Sequence, residues 1–175
     1  VFLFNNLFLT AFMLTVLVGT LFPLVAEAIR GVKVSVGGPF FNRMALPVMM
    51  ALLFLLGVGP LLPWHRTTRE ELVRRLRIPG AAMVVTLIAG VMAGVHNVYA
   101  LLAFAFGAFA FATVVREFWR GARSRMQSRD ERAWIALARL VASNGHRYGG
   151  YVAHAGVVMA VVGIAASSAF KTERE

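Results

Sequence analysis

The chain has 175 residues, is 59% hydrophobic and carries a formal charge of +10, with a mean hydropathy of +0.72. Soluble domains are about 45–50% apolar, so this composition excludes an ordinary soluble domain and marks a polytopic membrane protein. There is no cysteine, which excludes disulfides, a thiolate nucleophile, iron–sulfur ligation and a C-x-x-C-H attachment site. The basic residues lie between hydrophobic runs, the pattern of charged loops against anionic lipid and not of nucleic-acid binding.

A spanning helix needs roughly 20 mostly apolar residues. The first candidate covers 7–26, and a loop over 27–43 follows, whose Gly37-Gly38-Pro39 predicts a rigid turn with Phe40 and Phe41 available to pack. The second covers 44–62 and is interrupted late by Gly57, Gly59 and Pro60. In the loop 64–79, Thr68-Arg69-Glu70-Glu71 fits a capping box, and Leu72, Val73 and Leu76 line one side of a short helix that ends at Pro79. The uncharged stretch Gly80–Val115 is too long for one span. His96-Asn97 reads as a tight hairpin within it, giving spans over 80–95 and 98–115. In the loop 116–147, Trp134, Leu137, Ala138 and Val141 recur at helical spacing, with Arg132 and Arg139 interspersed. Such a helix lies in the headgroup layer, and one that docks an intracellular partner has the same pattern. The fifth span covers 148–170. The fold class is therefore all-α: a transmembrane bundle of about five spans with short interfacial helices in two loops.

Arginine and lysine set the orientation. Loop 64–79 holds Arg66, Arg69, Arg74, Arg75 and Arg77, and loop 116–147 holds eight more arginines. On the other side stand only Arg30, Lys33, Arg43, Lys171 and Arg174. The N-terminus is expected in the cytoplasm, the C-terminus outside. The chain opens on a hydrophobic run without an initiator Met and stops just after another, and it reads as part of a larger protein. There is no internal repeat, Gly-rich phosphate loop, pair of intramembrane carboxylates or H-E-x-x-H motif; nothing points to hydrolysis or nucleotide chemistry.

The fifth span carries His154. Ionisable groups at membrane depth cost on the order of 3 kcal/mol, so an intramembrane histidine is a candidate functional residue. If the span is centred near Ala160, His154 lies about 9 Å to the cytoplasmic side of the midplane. Gly150, four residues before it, leaves space on the same face, and Tyr151, Val157 and Val158 supply walls for a flat ligand. Ala153, Gly156, Ala160, Gly163 and Ser167 form a stripe of small residues suited to close helix packing. Three readings of His154 stay open: an axial haem ligand with Arg147 or His146 facing the propionates, a packed histidine bonded to a neighbouring carbonyl, and a proton or substrate relay. His96 falls at the opposite membrane face and cannot reach the same iron. His65, in a charged loop, reads as solvated.

The stretches NNLFLTAFMLTVLVGTLFPL, VSVGGPFFN, LGVGPLLPW and RYGGYVAHAGVVMAVVGIAAS occur in the order found in the CcmF family. That family is the haem lyase component of cytochrome c maturation, in the haem-handling superfamily. The resemblance covers nearly the whole chain and matches a later portion of the family protein. It implies a multi-pass protein of the bacterial inner membrane holding a b-type haem, which passes electrons to keep the incoming haem iron reduced. It implies further that haem arrives from a periplasmic haem chaperone and is joined to apocytochrome c, which thiol-reducing partners hold ready. The Y-x-x-H-x-G motif resembles the part of the family bearing one axial ligand of the b-haem, a role that carries over to His154, with Gly150, Tyr151 and Arg147 around it. The second axial histidine and a tryptophan-rich segment are expected upstream of Val1, and a periplasmic domain and last helix beyond Glu175. No family role carries to His96 or His65. The SVGGPFFN loop would lie where haem is handed over, to contact haem or cytochrome or simply to pack. This chain alone is not expected to be an active enzyme. A haem-free permease subunit and a b-type cytochrome redox subunit are the alternative functions.

Overall fold

The computed structural model describes residues 2–31, 33, 35–62, 68–129 and 131–167, and the backbone of 168–169. His65, Arg66, Lys171 and Arg174 lie outside the described residues. Those described form six α-helices without strands: α1 (Phe2–Arg30), α2 (Gly38–Val58), α3 (Arg69–Met92), α4 (Val98–Arg129), α5 (Ala133–Ser143) and α6 (Gly145–Ala169), with a 3-10 turn over Gly59–Leu61. All but α5 are long and apolar enough to cross a membrane. The chain divides into two compact units, Val1–Leu55 and Leu56–Glu175.

In the first unit, α1 is apolar on all sides and buries only Gly19, as suits a helix whose surroundings are themselves apolar. The reason for Gly19 is steric: a Cβ there would stand 2.7 Å from Phe41 Cζ and 2.9 Å from Phe40 Cε1. The two rings meet edge to face with centroids 5.4 Å apart. The turn expected at Gly37-Gly38-Pro39 is present, the Phe40 N–H bonding Gly37 O at 3.1 Å, and it runs directly into α2, since proline's fixed φ and missing N–H suit a first helical turn.

In the second unit, α3, α5 and α6 all pack on α4. Alanine and glycine make this possible: Ala103, Ala105, Gly107, Ala110 and Ala122 of α4 are buried and admit close neighbours. Gly57 shows how close, because a Cβ there would lie 2.9 Å from the Ala110 backbone. The buried hydroxyl of Thr113 donates to the Phe109 carbonyl at 3.0 Å, so it needs no partner outside its own helix. At 32 residues, α4 is about 48 Å long, more than the roughly 30 Å hydrocarbon layer, so its arginine-rich end extends beyond a bilayer.

Two details differ from the sequence reading. Thr68 caps α3, its Oγ1 accepting from the Glu71 N–H at 3.4 Å, but the helix does not stop at Pro79; it continues to Met92. Proline deprives the carbonyl four residues earlier of its intrahelical donor. Here that carbonyl belongs to Arg75, and the Arg116 guanidinium of α4 donates to it at 2.6 Å. The α3–α4 connection also begins before His96. Gly94 adopts φ 77°; its N–H bonds Val91 O at 3.0 Å, and the Val95 N–H bonds Gly90 O at 3.0 Å. This paired pattern around a left-handed glycine ends a helix. Asn97 then starts α4, its Oδ1 accepting from the N–H groups of Tyr99 and Ala100 at 3.0 and 3.2 Å.

Candidate functional site

His154 stands in the middle of α6, between two places where that helix is fixed to α4. Toward the membrane interior the fixing contact is steric. A Cβ at Gly107 of α4 would lie 2.6 Å from Val162 Cγ2 and 3.6 Å from Val158 Cγ1, so the missing side chain is what lets these valines approach. Toward the arginine-rich end, Tyr148 is 4% exposed, and its hydroxyl fills the space that a side chain at Gly121 would occupy.

Around Tyr148 the aromatic rings gather. Phe118 of α4 lies 5.1 Å from the Tyr148 ring and 6.2 Å from that of Tyr151, centroid to centroid. The two tyrosines are 5.8 Å apart, edge to face. Arg147 spans the group: Nε donates to Tyr151 Oη at 3.3 Å and Nη2 to Glu117 Oε2 at 3.1 Å. Its guanidinium carbon lies 5.8 and 5.9 Å from the Tyr148 and Tyr151 ring centroids, within cation–π reach. Glu117 itself is 4% exposed, and Arg120 adds a second guanidinium at 3.7 Å.

His154 is half-buried, at the edge of the packed face. Its Nδ1 is buried and has no hydrogen-bond partner among the described residues. A ring nitrogen withheld from water normally finds a partner, and one that does not calls for an explanation. Around the helix axis, Gly150 and Val158 each lie about 40° from His154 and Arg147 about 20°. Gly150 has open space where a side chain would project, as the sequence reading expected, and Tyr151 is half-buried beside it. Arg147 is already held by Glu117 and Tyr151.

The small-residue stripe is not the packing face of α6 within this unit. Ala153, Gly156, Ala160, Gly163 and Ser167 are all exposed, whereas Tyr148 and Val158 are buried. The reason is that α4 supplies the small residues at this contact and α6 the large ones. Glu117, which the sequence reading passed over, proves central. Its only signal was an acidic residue directly beside Arg116 at the end of an uncharged run.

His96 sits exposed in the α3–α4 connection. Among the described residues no group of three or more His, Asp or Glu side chains could hold a metal ion. The donor on offer at His154 is therefore one imidazole.

Comparison with known proteins gives homologues over nearly the full chain. The cytochrome c-type biogenesis protein CcmF of Pseudomonas aeruginosa is 34% identical over 174 residues, covering 99% of this chain and 25% of that protein. The cytochrome c-type biogenesis protein CycK of Rhizobium meliloti is 34% identical over 97% of this chain and 25% of that protein. CcmF of Escherichia coli is 33% identical over 98% of this chain and 24% of that protein. The chain thus spans about a quarter of the length of the curated relatives it matches. No family model matches, and no solved structure matches.

Proposed function

We propose, on the premise that this chain is homologous to a later portion of the CcmF and CycK cytochrome c-type biogenesis proteins, that it forms part of the membrane domain of a cytochrome c haem lyase. In that role it assists covalent attachment of haem to apocytochrome c. His154 supplies one axial ligand to a b-type haem held within the bilayer, and the second ligand comes from polypeptide outside this chain. The observation that carries this reading is a half-buried imidazole in the middle of a membrane-length helix, whose Nδ1 finds no hydrogen-bond partner among the described residues.

The residues fit such a group. Haem needs from this chain one neutral imidazole, not a cage of ligands. The imidazole lies on a flank of α6 where Gly150 leaves room for a flat macrocycle. Among the described residues no carbonyl or other group bonds Nδ1, so the fold does not tie the ring down through that nitrogen. When bound, haem iron supplies one-electron redox chemistry. The protein's own contribution is to aim the imidazole, to exclude water with Tyr151 and Val158, and to keep a guanidinium at the mouth of the site. Arg147 shares its charge with Glu117, and it would be the basic group of this helix offered to a propionate. The arginine distribution sets the orientation: the N-terminus and the arginine-rich end face the cytoplasm, the C-terminus the periplasm. A periplasmic haem chaperone and apocytochrome c with its thiol-reducing partners act on that far side.

The test is His154→Ala in the full-length protein in its native membrane. The expected result is loss of the b-haem absorption bands with the protein still inserted at wild-type level. An unchanged haem spectrum in that variant would overturn the assignment. A protein without haem in either form would favour a permease or relay role.

A further inference from the structure

The cluster that ties α4 to α6 withdraws one carboxylate from water while the two arginines that pair with it stay partly exposed. A lone carboxylate withdrawn from water is strongly disfavoured without a cation and hydrogen bonds. Glu117, 4% exposed, has both. Arg147 Nη2 donates to it at 3.1 Å, Arg120 approaches to 3.7 Å, and the rings of Phe118, Tyr148 and Tyr151 gather on one side of the Arg147 side chain, which stays partly exposed.

The position of Arg147 on its own helix gives the cluster a consequence. Arg147 and His154 are seven residues apart, so they lie within about 20° of each other around α6 and about 10 Å apart along it. Whatever fixes the direction of Arg147 fixes the direction of the imidazole two turns deeper. The steric contact at Gly107 cannot do this alone. It holds Val158 and Val162 near α4 but consists of non-directional apolar surface, which allows a helix to roll. The bond to Glu117 is directional and two-ended.

We infer that Glu117 is a positioning residue for His154: through Arg147 it sets the rotation of α6 and so aims the imidazole. This rests on the haem reading only for its spectroscopic consequence; the rotation itself can be measured without haem. The positioning claim goes beyond stability, because the two effects separate. Loss of a merely stabilising pair would lower the amount of folded protein and leave the direction of His154 unchanged in what remains.

The experiment uses the full-length protein in native membranes. The variants are Glu117→Gln, which keeps shape and removes charge, and the exchange Glu117→Arg with Arg147→Glu. The haem-independent readout is labelling by a lipid-soluble photoactivated diazirine, which reports exposure to the bilayer, read by mass spectrometry at 153, on the exposed face, and at 154, at the packed edge. The haem readout is the band position and midpoint potential of the b-haem.

With Glu117→Gln, the 154-to-153 labelling ratio should change several-fold, the potential should shift, and the exchange variant should return both toward wild type. An unchanged ratio together with an unchanged potential in Glu117→Gln would overturn the inference while leaving His154→Ala free to confirm the haem ligand. A changed ratio in a protein that never held haem would support the positioning role and sink the haem reading instead. If Glu117→Gln fails to accumulate, the exchange variant decides. Recovery of insertion with the wild-type ratio supports the inference, and recovery with an altered ratio opposes it.

Discussion

The unbonded ring nitrogen of His154 on α6 and the buried carboxylate of Glu117 on α4 are each understood through the groups around them. A second carboxylate, Glu131, shows how sharply surroundings set behaviour. Arg139 Nη1 and Arg125 Nε donate to its two oxygens at 2.7 and 3.2 Å, and these bonds hold its carboxyl below the ordinary value of 4.5. The folded state therefore prefers the carboxylate. Its stabilising contribution is fully present above the ordinary value and is lost as pH falls through the lowered one. The lost contribution is the tie between the α4 end and α5. Trp134 fluorescence followed during thermal unfolding should show α5 releasing at lower temperature once pH is taken below the ordinary carboxylate value and through the lowered one. Glu131→Gln should release early at neutral pH and show little further change on acidification. At this scale the sequence was legible where one residue type implies a cost by itself, as with an imidazole in an apolar run. It was illegible where the meaning lies in a pairing: Glu117 becomes notable only when Arg147, 30 positions away, is seen to reach it.

Helices obey the same division. The capping signal at Thr68 and the helical spacing around Trp134 are local, and both elements are present. Proline at 79 was read as a stop because its local effect is to break a hydrogen bond, yet α3 runs through it because α4 supplies the missing donor. This is a tertiary rescue, and a double-mutant cycle can test it. Arg116→Ala leaves the Arg75 carbonyl unsatisfied and should cost about 1–3 kcal/mol. In a Pro79→Ala background the helix regains its own N–H, so the same arginine change should cost markedly less. Unfolding of α3 in detergent micelles, followed by amide exchange, measures both. Equal costs in the two backgrounds would show that Arg116 does not serve the proline gap. The small-residue stripe of α6 teaches a related lesson. Spacing showed that small residues share one face, but not which face meets α4, because close approach needs small residues on only one of two partners, and α4 supplied them.

For the molecule as a whole, the arginine-rich end of the second unit must sit somewhere relative to a bilayer, and two tryptophans bear on where. Trp119, on α4 just beyond the apolar run, is 59% exposed, and Trp134, on α5, is 68% exposed. Leu137 and Val141 share the open face of α5, while Ala136 and Leu140 are buried on its other side. An exposed apolar face on a helix whose flanking segments carry exposed arginines, Arg129 and Arg132 among them, is poorly suited to bulk water and well suited to the headgroup layer, where indole rings and guanidinium groups both find favourable partners. Connectivity argues the same way: α5 ends at Ser143 and the membrane-length α6 begins at Gly145, so the short helix cannot move far from the point where the chain enters the bilayer. In the proposed orientation this face rests on the anionic cytoplasmic leaflet. With Trp134 as the single tryptophan retained in the full-length protein, reconstituted in vesicles containing phosphatidylglycerol, lipids brominated near the headgroup should quench it more than lipids brominated near the chain ends. Aqueous iodide should quench it weakly. Strong iodide quenching with no response to either brominated lipid would place α5 in water and leave its apolar face for a protein partner. Raising the salt concentration separates the two forces involved, since screening weakens the arginine–lipid attraction while leaving the burial of indole, leucine and valine in place.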